Sequence, residues 1–348
     1  MEYLKKIWSN RWLTNDGEFV QLLEAKLKEH LKIEKLALVS NGTLALHLAL
    51  KALDLKGEVI TTPFTFAATT NVLLWEGLTP VFSDIDAQTF NIDPVAVEEK
   101  ITEKTSAILA VHCFGNPCEV EALQKIARKY NVKLIYDAAH AFGVQFRGRS
   151  ILNFGDFSTL SFHATKVYNT IEGGAVVSKD QGSHEKIKLL RNHGIKSEDE
   201  VLLPGTNAKM DEFRAAMGLC NLKTVDQDIF KRKTVYDYYQ EELSGLVQFQ
   251  RLTATKYNFI YIPVCFKDVA ERNIIYSELR KNGILPRKYF FPLATRYAYF
   301  NRNSQANTSN LKKAIDISNR ILCLPLYPNL EIEIASKIVK IIKTKLKP

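Results

Sequence analysis

The 348-residue chain is sparing with cysteine: Cys113, Cys118, Cys220, Cys265 and Cys323 are odd in number, scattered and mostly set in apolar runs. That excludes a disulfide framework. No second pair of soft ligands follows Cys113 and Cys118, which speaks against a zinc site and for buried reduced thiols. Long apolar runs are missing as well. Met1-Glu-Tyr-Leu-Lys-Lys lacks the apolar core of a signal peptide, and the longest uncharged stretch, near Val59 to Trp75, is interrupted by Pro63 and rich in threonine. Neither a secretory leader nor a membrane span is expected, and the chain reads as cytoplasmic with no membrane partner. There are no internal repeats and no low-complexity segments. Although 47 basic residues face 38 acidic ones, for a formal charge of +9, the excess is spread thinly, densest in Lys337 to Lys347 and Lys223 to Lys233. No basic stripe interleaved with aromatics is present, so solvated helix faces are expected and not a nucleic-acid surface. The surplus charge remains available to steer an anionic small substrate.

With 46% hydrophobic and 24% charged residues the composition is that of an ordinary globular protein, and the length allows two domains. Residues 1–14 carry Trp8, Arg11, Trp12 and Leu13 with no clear period and read as an N-terminal segment, whose aromatics either pack on the domain or line a substrate entrance. An amphipathic helix is predicted over Glu18 to Leu31. From Leu36 strand-like and helix-like runs alternate, through Val59 to Thr62, Val81 to Asp84, Ala107 to His112, Val132 to Tyr136 and Phe157 to Phe162. This predicts an α/β fold, a mostly parallel sheet flanked by helices, with ligands at the carboxyl ends of its strands. A large domain over residues 15–233 and a small α+β domain over 234–348 are expected. The second would hold strands Phe259 to Val264 and Ile321 to Leu324 and helices Ala270 to Lys281, Leu311 to Arg320 and Glu331 to Leu346. A long helix beginning at Asp226 to Lys233 would bridge the two.

The chemistry is written at the predicted strand ends. Between the apolar runs Phe157 to Phe162 and Ala175 to Val177 lies a loop of Thr, Asn and two glycines carrying Lys166. A lysine held there among apolar neighbours loses hydration from its ammonium, which lowers its pKa and frees the amine to attack a carbonyl. Leu134-Ile-Tyr-Asp137 is a strand ending in a carboxylate, which can keep a pyridine nitrogen protonated. Leu36-Ala-Leu-Val-Ser40-Asn-Gly-Thr43 is a strand followed by a glycine turn into a helix, whose free N–H groups suit a phosphate. Phosphate cradle, ring-nitrogen carboxylate and Schiff-base lysine, in that order, are the parts a pyridoxal 5'-phosphate (PLP) enzyme needs. His112 ends another strand with no readable partner and is expected to be structural.

With these residues in hand, the chain resembles the DegT/StrS group of nucleotide-sugar aminotransferases, PLP-dependent transferases of fold type I. The similarity spans nearly the whole length. It rests on Ser40-Asn-Gly-Thr43, Thr62-Pro-Phe-Thr-Phe66-Ala-Ala-Thr69, Asp137-Ala-Ala-His140, Ser161-Phe-His-Ala-Thr-Lys166, Glu172-Gly-Gly174, Asn192-His-Gly-Ile195 and Gly205-Thr-Asn207-Ala-Lys-Met210. The resemblance implies that Lys166 carries the cofactor and shuttles a proton. It also implies that Asp137 pairs with the pyridine nitrogen, His140 lies near the 3-hydroxyl, and Gly42, Thr43 and Ser161 hold the phosphate while Phe66 stacks on the ring. Asn207 would reach the phosphate of a neighbouring subunit, making a homodimer with shared active sites. His163, His193, Arg287 and Tyr289 become candidates for touching substrate, with the hydrophilic loop between Arg191 and Met210 as a lid. Two departures stand out: Lys209 replaces an expected Arg, and His140 replaces a common Gln.

The implied reaction moves an amino group from glutamate to a keto carbon of a nucleotide-linked deoxysugar. The form Ser-Phe-His-Ala-Thr-Lys166 is similar to that of family members aminating C-4, among them those making dTDP-4-amino-4,6-dideoxyglucose. C-3 amination of a dTDP-3-keto-6-deoxyhexose is the alternative. A PLP-binding regulatory protein without turnover is a third reading, against which Lys166, Asp137, His140 and Phe66 stand together.

Overall fold

Seven short runs become the strands β1 (Leu36–Val39), β2 (Glu58–Thr61), β3 (Thr79–Phe82), β4 (Thr105–Val111), β5 (Lys133–Asp137), β6 (Phe157–Ser161) and β7 (Gly174–Ser178). They are seen in a computed structural model that describes residues 2–301 and 310–346. They form one sheet in the order β1-β7-β6-β5-β4-β2-β3. Only β7 is reversed, pairing antiparallel with β1 and β6, while β6, β5, β4, β2 and β3 are mutually parallel. The expected mostly parallel sheet is what forms. Every residue of β1 and β7 is buried, as a sheet covered on both faces requires. Alternate side chains feed two cores: Leu36 and Leu38 point into one, Ala37 and Val39 into the other. The carboxyl ends of the parallel strands therefore converge on one edge.

A smaller antiparallel sheet joins Gln248–Phe249, Ile262–Cys265 and Ile321–Leu324, packed with the helices Val269–Lys281, Lys312–Arg320 and Ile332–Leu346. Its first strand was not expected, and its second begins later than the predicted Phe259, which sits at φ 51°, a left-handed conformation that extended pairing excludes. Asp84, just past β3, ties the two regions together: its carboxylate accepts from the N–H groups of Lys313 and Ala314, at 3.0 and 2.8 Å, at the start of Lys312–Arg320. The helix Val225–Leu243 spans the boundary expected at 233/234.

The N-terminal segment corrects the sequence reading. Glu2–Asn10 is a helix of which only Ile7 is buried, too narrow a stripe to show as a period. Trp8 and Trp12 pack on nothing extensive, being 74% and 57% exposed, and neither lines the main cavity. Between Arg191 and Met210 the expected loop contains a small hairpin, Ile195–Ser197 paired with Glu200–Val201. Cys113, Cys118, Cys265 and Cys323 are buried and Cys220 is exposed, all with free thiols. Among the described residues no helix is long and apolar enough to cross a membrane, and no group of His, Cys, Asp and Glu is arranged to hold a metal.

Candidate active site

Strand β5 delivers Asp137 to the floor of a cavity of about 500 Å³, at the edge where the parallel strands end. Its carboxylate is almost fully buried. Oδ2 accepts from the hydroxyl of Thr69 at 2.9 Å and Oδ1 from the N–H of Ala139 at 3.1 Å. Thr69 is held in turn by Thr65, at 2.7 Å between hydroxyl oxygens. Burial pushes the Asp137 carboxyl above its ordinary range, and these two hydrogen bonds and the Lys166 ammonium work against that push.

Lys166 enters the same cavity from the turn between β6 and β7, its N–H bonded to the carbonyl of His163 at 2.8 Å. Burial lowers its amine to about 8, with Asp137 opposing the shift and Arg287 adding to it. An amine with that pKa is a competent nucleophile and proton carrier near neutral pH, where an ordinary lysine is not.

The wall opposite is the start of the helix Gly42–Ala52. Asn41 caps it by accepting from the N–H of Leu44 at 2.8 Å, and the N–H groups of Gly42 and Thr43 are left without internal partners. Ser161, at the end of β6, faces them so closely that a Cβ at Gly42 would stand 2.7 Å from the Ser161 Cβ. Glycine is what lets helix start and strand end approach. Phe66, 57% exposed, lines the cavity nearby.

These residues fit PLP. A buried carboxylate whose burial favours protonation is completed by a cationic ring nitrogen, an orphan pair of helix N–H groups beside a serine hydroxyl is completed by a phosphate, and the lysine amine stands between.

The remaining lining is polar and aromatic. His163 bonds Thr165 through Nδ1 at 2.9 Å and lies 3.7 Å from Glu172 through Nε2, both partners being cavity residues. Arg287 and Tyr289 come from the small-sheet side, with the guanidinium 4.5 Å from the Tyr289 ring. The Tyr289 hydroxyl is 2.7 Å from that of Tyr261 and 3.5 Å from Nε2 of His140. His140 is buried, which holds its imidazole well below the ordinary pKa and hence neutral; its Nδ1 has no partner among the described residues.

Ten of the twelve residues singled out in the sequence meet in this cavity: Gly42, Thr43, Phe66, Asp137, His140, Ser161, His163, Lys166, Arg287 and Tyr289. His193 and Asn207 do not. His193 sits at φ 57° with its N–H on the carbonyl of Thr206, and Asn207 bridges Asn192. Lys209 donates to Asn192 Oδ1 at 2.7 Å beside a separate, smaller cavity. His112 contributes to the lining from a fully buried position, with Nδ1 accepting from the N–H of Cys118 at 3.0 Å and burial depressing its pKa to about 3. Sequence reasoning missed Thr69 as the partner of Asp137, Tyr261 as the partner of Tyr289, and Glu172 and Trp75 as lining. Thr69 and Glu172 stand inside motifs already singled out; Tyr261 carried no signal beyond an aromatic-rich run.

Comparison with known proteins agrees with this arrangement. The chain is 45% identical over 352 positions to an Escherichia coli dTDP-4-amino-4,6-dideoxy-D-glucose transaminase, covering 99% of this chain and 95% of that one. It is 42% identical over 347 positions to a Shigella dysenteriae protein of the same name, covering 98% and 94%. The crystal structure of DesI in the presence of its TDP-sugar product matches with a TM-score of 0.92 at 32% identity, over 99% of this chain and 89% of that one. The family profile covers residues 1–343, and the chain belongs to the DegT/DnrJ/EryC1/StrS aminotransferase family.

Proposed function

We propose that this PLP-dependent aminotransferase moves an amino group from glutamate to C-4 of dTDP-4-keto-6-deoxyglucose, producing dTDP-4-amino-4,6-dideoxyglucose. The observation that carries the reaction class is Lys166, with its amine lowered to about 8, sharing one buried cavity with Asp137. The choice of sugar and carbon is supported by two relatives, at 45% and 42% identity, that bear the name of that transaminase.

Bound PLP supplies an electron sink for negative charge developing beside the transferred nitrogen. The chain does the rest. Asp137 would face the ring nitrogen and hold a proton there, with Thr69 and the N–H of Ala139 fixing the carboxylate. Gly42 and Thr43 present N–H groups, and Ser161 a hydroxyl, to the phosphate. Phe66 covers one face of the ring. Lys166 Nζ would carry a proton between the substrate carbon that gains or loses nitrogen and the cofactor carbon that carries that nitrogen, a service worth roughly 10²- to 10⁴-fold for a positioned carrier. Arg287 brings a guanidinium to the substrate side, suited to the carboxylate of glutamate or the diphosphate of the sugar. Tyr289, His163 and His193 complete the substrate-facing set. Asn207 and His193, outside the cavity of their own chain, act on the partner's site in a homodimer, and the enzyme works in the cytoplasm.

The test is product analysis. Purified protein with PLP, glutamate and dTDP-4-keto-6-deoxyglucose should give a product whose NMR spectrum places nitrogen at C-4. Turnover of the 3-keto isomer alone would move the reaction to C-3. Failure of glutamate to bleach the bound cofactor would remove the donor assignment.

A further inference from the structure

Three arginines are nearly inaccessible, and they differ in what meets them. Arg191 donates to Glu24, Asp16 and the carbonyl of Leu38. Arg232 donates through Nη1 to the carbonyl of Leu326 at 2.7 Å and, of its buried nitrogens, leaves only Nε without a partner among the described residues. Arg272, on the helix Val269–Lys281 and 2% exposed, has buried Nε and Nη1 atoms with no hydrogen-bond partner, and no carboxylate pairs with it among the described residues. What it does touch is aromatic: its guanidinium lies 4.9 Å from the centre of the Phe291 ring.

A second cation shares the place. Lys288 Nζ lies 5.9 Å from the same Phe291 ring and 4.2 Å from that of Tyr276, and its one polar contact among the described residues is the amide oxygen of Asn273 at 3.3 Å. Arg280 adds further positive charge over Tyr276 at 5.6 Å. Burial depresses the pKa of both Arg272 and Lys288, and the charge of Arg272 depresses Lys288 further. Ring faces return part of what desolvation removes, yet they satisfy no N–H group and do nothing for the repulsion between the cations. A covered arginine beside a lysine, with no acid among the described residues to neutralise either, is a half-made ion pair whose missing member is an anion. A phosphoryl group matches the pair: the guanidinium offers a fork of N–H donors and the ammonium a point charge.

We propose that Arg272 and Lys288 form an oxyanion site, outside the catalytic cavity, that binds a phosphate dianion, either free or as the phosphoryl group of a small metabolite. Neither residue lines the PLP cavity. The experiment uses the full-length protein saturated with PLP, so that the catalytic phosphate cradle is filled. Inorganic phosphate and thymidine monophosphate are titrated separately by calorimetry against potassium chloride of equal ionic strength. Saturable phosphate binding is expected, weakened at least tenfold in both Arg272→Met and Lys288→Met. Equal affinity for the two probes assigns the site to free phosphate, and tighter thymidine monophosphate assigns it to a nucleotide; both require the loss in the variants. Lys288 is only half-buried, so its variant carries the test if Arg272→Met does not fold. Phosphate heats indistinguishable from those of chloride, or an affinity unchanged in the variants, would overturn the proposal.

Discussion

The hydroxyl of Thr69 donates to Oδ2 of Asp137 across a separation of 68 residues, at 2.9 Å, inside a region closed to water. That bond opposes the burial that raises the Asp137 carboxyl above its ordinary range. A hydrogen bond to a charged group contributes roughly 1.5–3 kcal/mol. Thr69→Val keeps the shape of the side chain and removes the donor. We expect PLP to bind about tenfold or more weakly to this variant, read by absorbance titration of the apoenzyme. Wild-type affinity would show that Asp137 does not depend on Thr69.

Gly42 separates cofactor binding from folding. It occupies the first position of its helix, where the backbone tolerates alanine, but the new methyl would lie 2.7 Å from the Ser161 Cβ. Gly42→Ala is therefore expected to leave a folded apoprotein with PLP affinity reduced at least a hundredfold. Circular dichroism checks the first half and cofactor titration the second. A variant that keeps PLP tightly would place the phosphate elsewhere.

Much of this site is legible in the sequence because strand ends are punctuated. Asp137, Ser161 and Gly42 each follow a short buried run, and a run that ends at the edge of a parallel sheet delivers its next polar residue to the ligand. What escapes is whatever depends on partners far along the chain. Nothing near Tyr261 announces that its hydroxyl meets that of Tyr289. Phe259 looks like a strand residue and is not one, since its left-handed φ is imposed by packing and not by its own preference. The helix Glu2–Asn10 buries one side chain, so no period marks it.

Arg191 is expected to be the most sensitive charged residue outside the cavity. It is 5% exposed and joins three segments: Asp16 and Glu24 at 3.0 and 2.6 Å, and the carbonyl of Leu38 in β1 at 2.9 Å. Asp16 is already solvated, but removing Arg191 leaves its buried partner Glu24 uncompensated, at a cost of about 3–5 kcal/mol. Arg191→Ala should lower stability by that amount in urea denaturation, with Arg191→Lys recovering only part because a point charge cannot serve all three acceptors. A loss below about 1 kcal/mol would mean that Glu24 is already solvated in the folded chain.

Lys166 should also write itself into the pH dependence of the apoprotein. Its amine titrates near 8 when folded and at 10.5 in its ordinary state, the difference coming first from burial. Below pH 8 both folded and unfolded chains carry the proton, so Lys166 contributes no slope, only the full penalty of a buried ammonium. Between about 8 and 10.5 the unfolded chain binds more protons at this residue than the folded one, and stability must rise with pH, by at most about 1.4 kcal/mol per unit. Lys166→Met removes that rise. The stability of wild-type apoprotein relative to Lys166→Met, followed by urea denaturation from pH 7 to 10, is therefore flat at first and then climbs in favour of wild type. Other buried groups such as His140 are present in both proteins and cancel in the difference. A difference that stays flat through pH 10 would mean that the Lys166 ammonium keeps its hydration when the chain folds, and the case for a nucleophilic amine at this position would fail with it.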